Sequence, residues 1–264
     1  MKIGILSKRK GNFAGEIHEY LASIGHEVEI FTAKDLIINE ILLKKDLYIL
    51  KSKHLIYLYA GYFLESNLVP VIPNTNISYI HKDRVESHFS MKNLGFLCPE
   101  TFMGTAKTLK NHLQESTFPL ISKPVFGSGS RDVKVFNSFQ EFDLSNEKYL
   151  YLEKFIKGTH YLAYFIENEI CICEKKPLSN EHQKTKFIES DKEIEKNLIK
   201  WKKKYNLLFG HLDLVRETNT NKLYVVDAGT FPEFSNWKCD TDPTTKVCDL
   251  ILKEYRALKN LIEM

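Results

Sequence analysis

The sequence predicts an α/β amino-terminal part followed by an α+β part. An apolar run at Lys2–Leu6, a helix-forming stretch at Phe13–Ile24 and an alternating stretch at His26–Phe31 open the chain. This order is typical of a βαβ unit, whose strands lie parallel. From Pro99 onward the pattern changes to strands separated by turns, which predicts an antiparallel sheet. A length of 264 residues allows one large domain or a few compact lobes.

The rest of the first part is predicted from apolar runs and breaker residues. Leu47–Tyr59 is apolar but ambiguous in its period, so its structure stays open. Leu68–Ile72 indicates a buried strand that ends at Pro73. We expect Asn74–Ser78 to connect this strand to a helix over Ile80–Leu94.

The second part combines one short helix, near Lys107–Glu115, with a series of strands. The strands are predicted over Phe118–Lys123, Asp132–Phe136, Tyr149–Phe155, Tyr161–Ile166 and Glu169–Lys175. The polar stretch from Pro177 to Ile188 predicts a mobile loop, because proline has no N–H with which to continue a strand ladder.

Two helices and a hairpin are predicted for the remaining residues. An apolar stripe from Ile194 to Tyr205 recurs at helical spacing, which indicates a helix with one buried face. Leu207–Val215 and Leu223–Val226 are hydrophobic strands joined by a turn-forming stretch, so we expect a hairpin. A final helix is predicted to begin near Pro243, since the fixed φ of proline suits a first helical turn.

The composition argues against several classes of function. Hydrophobic residues make up 43% and charged residues 27%, and no apolar run reaches the roughly 20 residues that span a bilayer. The 37 basic and 34 acidic residues nearly balance, so neither nucleic acid nor a membrane is a predicted partner. The opening residues are typical of a first strand rather than of a secretory signal. Five cysteines without Cys-x-x-Cys spacing argue against a disulfide framework and a zinc site, and fit a reducing cytoplasm.

A hairpin rich in glycine and serine is the first candidate site. Pro119–Val133 is predicted to form a strand ending in Lys123, a loop and a second strand. The loop residues are Gly127, Ser128, Gly129, Ser130 and Arg131. Glycine lets backbone N–H groups approach phosphate oxygens, and the two cations supply compensating charge. The hypothesis is a phosphate-binding hairpin, with an ordinary flexible turn as the alternative; a Walker loop is excluded because the lysine precedes the glycines.

Two aspartates in hydrophobic strands form the second candidate site. Asp213 and Asp227 lie on strands that are predicted to be neighbours. Carboxylates on adjacent strands suit Mg²⁺, a hard cation that takes oxygen ligands together with substrate phosphates. In the alternative reading an arginine or backbone donors satisfy each acid, since burial of an unpaired carboxylate is costly.

In their order and spacing these motifs resemble those of the ATP-grasp superfamily. Lys123–Val133 is similar to the glycine-rich lid of these enzymes, and Tyr151–Gly158 resembles the hinge that receives adenine. Asp213–Arg216 and Tyr224–Asp227 are similar to the metal-binding pair. The opening Met-Lys-Ile-Gly-Ile-Leu-Ser resembles the RimK-like carboxylate–amine ligases, whereas Phe-Pro-Glu-Phe near the end resembles the inositol trisphosphate kinases.

The resemblance implies an ATP-grasp fold with an N-terminal βαβ (pre-ATP-grasp) domain. It places this domain at residues 1–76, the small lid subdomain with its linking helix at 77–157, and the C-terminal subdomain with the metal site at 158–264. The implied cofactors are ATP and Mg²⁺.

The resemblance also implies which residues bind the nucleotide. They are Arg84, Lys123, Gly127, Ser128, Gly129, Ser130, Arg131, Glu153, Phe155, Ile156 and His160. Lys123 and Arg84 would contact phosphates, whereas Glu153 and the backbone of Phe155 and Ile156 would hold the adenine edge. His160 stands where the family often has an acidic residue for the ribose.

Metal binding and catalysis are implied for four further residues. Asp213 and Asp227 would hold Mg²⁺, Lys175 would face the terminal phosphate, and Arg216 would lie beside the acyl phosphate. Strict alternation along the strand, however, turns Arg216 to the face opposite Asp213.

The metal motif departs from the family pattern at one position. The family usually has an asparagine two residues after the second acid, and this chain has Gly229. Either water or Glu233 completes the magnesium site, or the protein has lost catalysis.

The leading hypothesis for function is a carboxylate–amine ligase. ATP would phosphorylate a substrate carboxylate, and an amine would attack the resulting acyl phosphate to form an amide. The expected partners are small carboxylate and amine substrates, such as an amino acid or a peptide, with a homodimer as one option for assembly.

Two rival hypotheses stay open. The first is a small-molecule kinase whose anionic acceptor would be bound by Lys175, Lys176, Lys184 and Lys186. The second is a nucleotide-binding module without turnover, which the departures at Gly229 and His160 favour.

Overall fold

The computed structural model describes residues 1–126, 132–142, 149–176 and 185–262. Its strands form three sheets, one parallel and two antiparallel. The predicted combination of α/β and α+β parts is confirmed.

The first sheet is parallel, with strand order β2-β1-β3-β4. The predicted opening βαβ unit is present, and the segment of ambiguous period forms first a strand and then a helix. The elements are β1 (Lys2–Leu6), α1 (Phe13–Ser23), β2 (Glu27–Phe31), β3 (Leu47–Leu50), α2 (Leu55–Ser66) and β4 (Val71–Ile72). All four residues of β3 are buried, as expected for a parallel strand that is covered on both faces.

The connection predicted at Asn74–Ser78 is wrong, because this stretch lies largely within a helix. Helix α3 spans Thr75–Ile80, and the Asn74 side chain accepts a hydrogen bond from the N–H of Ile77 at 3.2 Å. Helix α4 then spans Arg84–Asn93 and is capped in the same way by Asp83. Both caps satisfy N–H groups that the first helical turn leaves without partners.

The second sheet is antiparallel, with strand order β5-β8-β6-β7. Its elements are β5 (Thr101–Gly104), α5 (Ala106–His112), β6 (Leu120–Ser122), β7 (Lys134–Phe136) and β8 (Leu150–Lys154). Helix α5 covers one face through Leu109, which packs with Phe118 and Leu152 in a separate small core. The strand β5 was not predicted from the sequence.

The third sheet is also antiparallel, with strand order β11-β10-β9-β12-β13. Its elements and helices are β9 (Gly158–Ile166), β10 (Glu169–Lys175), β11 (Thr185–Ile188), α6 (Lys192–Tyr205), β12 (Phe209–Glu217), β13 (Leu223–Gly229) and α7 (Pro243–Ile262). The mobile loop predicted up to Ile188 is wrong for residues 185–188, which pair with β10. Residues 177–184 lie outside the described residues.

Alternation along β12 gives the third sheet two different faces. Leu212 and Leu214 are buried against Leu198 and Trp201 of α6. The residues between them face the opposite side. This period of two separates an apolar face, which packs on α6, from a second face on which polar side chains such as Asp213 can line a cleft.

The first and third sheets share one hydrophobic core. Ile3 and Phe13 pack in the same cluster as Tyr164, Phe209 and Val247. A second cluster, with Tyr48 and Leu58, belongs to the first sheet alone. The shared core fixes the carboxyl ends of β1 and β3 near the third sheet. No helix in the described part of the chain is long and apolar enough to cross a membrane.

Candidate active site

A cleft of about 670 Å³ lies where the three sheets meet. The first sheet contributes the loops after β1 and β3, and the second contributes the ends of β6 and β8. The third contributes alternate residues of β9 and β12, the end of β10 and the last residues of β13. Nine of the predicted site residues line this cleft. They are Arg84, Lys123, Glu153, Phe155, Ile156, His160, Lys175, Asp213 and Asp227.

Asp213 and Asp227 are direct partners across β12 and β13. The strand register shifts just after this pair, so that no residue of β12 lies opposite Val226. Both carboxylates face the cleft. Asp213 accepts a hydrogen bond from Lys175 Nζ at 2.5 Å, and Asp227 lies 3.6 Å from Arg84 Nη1. Each acid therefore forms one ion pair within the described residues.

Asp227 is held in its charged form. Removal from water would raise the pKa of its carboxyl group, but Arg84, Lys123 and Lys53 hold that pKa below its ordinary value. With 41% of its side chain exposed, Asp227 presents a charged oxygen to the cleft.

Lys123 and Glu153 form a buried ion pair at the ends of β6 and β8. Lys123 Nζ lies 2.5 Å from Glu153 Oε2 and also donates to the Val226 carbonyl at 3.3 Å. The other carboxylate oxygen accepts from Tyr151 Oη at 2.9 Å. The two charged side chains are only 10% and 6% exposed, so each depends on the other for compensation of its charge.

The predicted adenine edge is only partly open to a ligand. The N–H of Phe155 donates to the Pro119 carbonyl at 3.0 Å, so this group already has a partner. Ile156 is buried at the cleft wall beside it. Burial, with Lys175 as the next cause, lowers the pKa of His160 to about 4, so His160 is neutral at physiological pH.

The structure does not bring Arg216 into the cleft. Its guanidinium donates to Asp191 Oδ2 at 2.8 Å and to Glu193 Oε2 at 2.7 Å, on the face of the third sheet that α6 covers. Three positions separate Arg216 from Asp213, and an odd separation reverses the face of a strand. The role that the resemblance implied for Arg216 is therefore corrected.

Residues that the sequence did not single out complete the cleft. His211 lies two positions before Asp213 on the same face, and Lys51 and Lys53 follow β3. Lys51 pairs with Glu233 at 2.7 Å, whereas Lys53 donates to the His81 carbonyl at 2.7 Å. Alternation from Asp213 would have indicated His211. The two lysines could be assigned to the cleft only once the strand order of the first sheet was known.

Gly127, Ser128, Gly129, Ser130 and Arg131 lie outside the described residues, and so does Lys184. Their predicted phosphate and acceptor contacts stay predictions. Among the other lysines named for a kinase acceptor, Lys175 lines the cleft, whereas Lys176 and Lys186 do not belong to its described lining.

The charged side chains of the cleft fit a magnesium nucleotide. Within the described ranges no group of three or more His, Cys, Asp or Glu side chains is arranged to hold a metal by itself. Mg²⁺ is commonly held by one or two carboxylates with substrate phosphates and water completing the octahedron, and Asp213 with Asp227 fits that pattern. The cations Arg84, Lys123 and Lys175 around them suit phosphate groups.

Comparisons with known proteins agree with this geometry. Residues 81–206 match the family model described as ATP-grasp domain. A comparison with curated protein sequences found no significant match.

Several solved structures share the fold over nearly the whole chain. A RimK domain ATP-grasp protein from Sphaerobacter thermophilus has a TM-score of 0.78 at 13% identity, covering 96% of this chain and 100% of its own. D-alanine–D-alanine ligase from Bacillus anthracis has a TM-score of 0.73 at 20% identity, covering 98% and 99%. A RiPP-associated ATP-grasp ligase from Chryseobacterium gregarium, solved with ADP and a leader and core peptide, has a TM-score of 0.70 at 15% identity, covering 96% and 97%.

The chain carries an ATP-grasp domain in residues 81–206 and has the ATP-grasp fold across all three sheets, as the resemblance implied.

Proposed function

We propose that this chain is an ATP- and Mg²⁺-dependent carboxylate–amine ligase. The observation that carries the proposal is the convergence of Asp213, Asp227, Lys175 and Lys123 in one cleft between three sheets. The solved proteins of the same fold include a D-alanine–D-alanine ligase and a RiPP-associated ATP-grasp ligase, and these activities support the ligase class.

The nucleotide would bind with its phosphates between the second and third sheets. Lys123 and Arg84 would neutralise the phosphates, and Ile156 with Glu153 would lie at the adenine edge. Neutral His160 would accept or donate one hydrogen bond at the ribose. The buried Lys123–Glu153 pair keeps the ammonium in one position, which favours binding of phosphate without further reorganisation.

Asp213 and Asp227 would hold Mg²⁺, which when bound neutralises phosphate charge and orients the terminal phosphate. Lys175 lies at 2.5 Å from Asp213 and would pair with the terminal phosphate and with the substrate carboxylate that receives it. Such phosphoryl transfer depends on positioning and on charge stabilisation, so no nucleophile from the protein is required. An amine substrate would then displace the phosphate and form the amide.

An isotope experiment separates this function from its rivals. The protein is incubated with ATP, Mg²⁺ and a pool of amines and ¹⁸O-labelled carboxylic acids, and products are followed by mass. A ligase gives ADP, an amide that has lost the elements of water, and inorganic phosphate with one ¹⁸O atom. A kinase gives a phosphorylated product without free phosphate, and a binding module gives no product. Either of these last two results excludes the proposal.

A matched pair of variants controls for contaminating activity. Asp227→Asn removes a proposed metal ligand, whereas Arg216→Met removes a cation on the opposite face of the same sheet. Product formation is expected to disappear in the first variant and to persist in the second.

A further inference from the structure

Within the described residues Lys53 has no carboxylate partner, unlike four other cations of the cleft. Four cation–carboxylate pairs line the cleft within the described residues: Lys51–Glu233, Arg84–Asp227, Lys123–Glu153 and Lys175–Asp213. Lys154 instead donates to three backbone carbonyls. Lys53 Nζ donates to one, that of His81 at 2.7 Å.

An ammonium group carries three N–H donors, so a single carbonyl leaves Lys53 short of both hydrogen-bond acceptors and negative charge. Enclosure in the cleft lowers its pKa to about 8, although Asp227 opposes this shift. The nearby cations Lys82, Arg84 and Lys51 shift it further in the same direction. Buried charges in proteins are normally paired, and a cation left unpaired at the wall of a cleft is suited to an anionic ligand.

The position of Lys53 in the fold favours contact with the acid substrate rather than with the nucleotide. In the strand order β2-β1-β3-β4, the chain leaves β1 and β3 towards opposite edges of the sheet. Ligands of open parallel sheets bind at such a switch point, beyond the carboxyl ends of the two strands. The loops after β1 and β3 both line the cleft there, and the second loop carries Lys53.

The other features of this wall also favour a negative charge. Helix α1, eleven residues long, begins at Phe13 beside Gly11 and Asn12 of the cleft lining, and the N-terminus of a helix attracts anions. The candidate phosphate residues Lys123 and Lys175 belong to the second and third sheets, whereas Lys53 follows β3 of the first sheet, near enough to Arg84 and Asp227 to interact with their charges.

Resting on the proposed ligase function, we propose that Lys53 binds an anionic group, carboxylate or phosphate, that the acid substrate carries in addition to the carboxylate it activates. The substrate class is then a dicarboxylic acid or a phosphorylated carboxylic acid. Asp213, Asp227 and Lys175 would serve the reacting carboxylate, and Lys53 would fix the other end of the molecule.

The test measures binding of defined acids to the full-length protein saturated with Mg²⁺ and a non-hydrolysable ATP analogue. The probes are succinate, with two carboxylates, phosphonoacetate, with a carboxylate and a phosphonate, and butyrate, with one carboxylate. Calorimetry is expected to give at least about tenfold tighter binding for one of the dianions than for butyrate, since a charge-assisted partner contributes about 1.5 to 3 kcal/mol. The tighter of the two dianions identifies the anionic group.

Three variants locate the effect. Lys53→Met and, should that variant fold poorly, Lys53→Gln are expected to abolish the preference for dianions while leaving affinity for the ATP analogue within about twofold. Lys45→Met is the matched control, because Lys45 is a mostly buried lysine of the first sheet that pairs with Glu27 and Glu29 away from the cleft. It is expected to keep the preference.

Three results would overturn the proposal for Lys53 alone. They are equal binding of butyrate and both dianions by the wild type, an unchanged preference in the Lys53 variants, and a parallel loss of nucleotide affinity that would assign Lys53 to ATP. A wild-type protein that binds no Mg²⁺–ATP analogue would instead contradict the proposed function, and the role of Lys53 would be lost with it.

Discussion

The imidazole of His211 occupies the space above Gly229. The two residues are partners across β12 and β13, and a Cβ atom built on Gly229 would lie 2.1 Å from Cε1 and 2.7 Å from Nδ1 of the ring. Real Cβ atoms do not approach so closely. A side chain larger than that of glycine at position 229 therefore overlaps the ring of His211.

We predict that Gly229→Asn alone weakens magnesium binding instead of restoring it. The new side chain must displace the ring of His211, which lies two positions before Asp213 on the same strand and whose buried Nδ1 has no hydrogen-bond partner among the described residues. Overpacking of this kind costs about 1 to 3 kcal/mol of stability. Magnesium titration in the presence of ADP, with thermal unfolding in parallel, measures both effects.

The double variant His211→Ala with Gly229→Asn tests the same relationship in the other direction. Removal of the ring makes room for the amide, so the double variant should be more stable than Gly229→Asn alone and should bind magnesium more tightly. Equal stability of the two variants would show that His211 does not limit the size of residue 229.

The sequence predicted those parts of the site that depend on periodicity. Asp213 and Asp227 lie on strands with clear apolar patterns, and one hairpin was enough to bring them together. Lys123 was predicted because it ends a strand before a run of glycines. Alternation also indicated that Arg216 faces away from Asp213, as the structure shows, whereas the resemblance implied a place beside the acyl phosphate.

Other features depend on information that local pattern does not contain. Lys51 and Lys53 follow a strand that the ambiguous period of Leu47–Tyr59 left unassigned, and their place in the cleft depends on strand order. The helix at Thr75–Ile80 was missed because Asn74–Ser78 was interpreted as a connection, although the Asn74 side chain caps the helix. Asparagine supports both structures, and packing decides between them.

Lys123→Met is predicted to weaken the fold as well as nucleotide binding. It leaves Glu153 buried beside Tyr151 without its cation, and breaking such a pair costs about 3 to 5 kcal/mol. Urea denaturation measures this loss. The double variant Lys123→Met with Glu153→Gln should recover most of the stability and still bind ATP weakly, which separates the structural role from phosphate binding. Normal ATP affinity in the folded double variant would remove Lys123 from the site.

Arg216→Met is predicted to leave nucleotide affinity unchanged. Its ion pairs with Asp191 and Glu193 join β12 to the start of α6, so their loss should lower the free energy of unfolding by about 1 kcal/mol. Calorimetry with the ATP analogue and urea denaturation provide the two measurements. A loss of nucleotide affinity of about tenfold would restore the role that the resemblance implied.

Stability is predicted to fall as the pH decreases below about 6.5, with His81 as one cause. Burial, with Lys53 as a second cause, lowers the pKa of His81 to about 3, and its Nε2 accepts a hydrogen bond from Trp201 Nε1 at 3.1 Å. Between pH 6.5 and 3 the unfolded chain binds a proton that folded His81 does not bind, so this residue contributes up to about 1.4 kcal/mol per pH unit.

The variant His81→Gln isolates this contribution. Glutamine keeps an acceptor for Trp201 and does not titrate. The free energy of unfolding of this variant should therefore change less with pH than that of the wild type, by up to the slope that corresponds to one proton. Urea denaturation at about pH 7 and about pH 5 compares the two proteins. Identical pH dependence would show that His81 does not titrate differently in the folded and unfolded states.

Asp227→Asn is predicted to abolish the dependence of nucleotide binding on magnesium. Its carboxylate faces the cleft and is held charged by Arg84, Lys123 and Lys53, so the substitution removes charge with little change of shape. Loss of such a charge partner costs about 2 kcal/mol or more, which corresponds to at least about thirtyfold in affinity for Mg²⁺–ADP. Binding of ADP without magnesium should tighten, because the surrounding cations then have one carboxylate fewer to pair with. Calorimetric titration of ADP at several magnesium concentrations measures both affinities.

The control variant is Asp191→Asn, which removes the carboxylate that pairs with Arg216 on the opposite face of the third sheet. It should behave as the wild type does. If magnesium strengthens ADP binding equally in all three proteins, Asp227 is not a metal ligand and the proposed ligase chemistry loses its metal site.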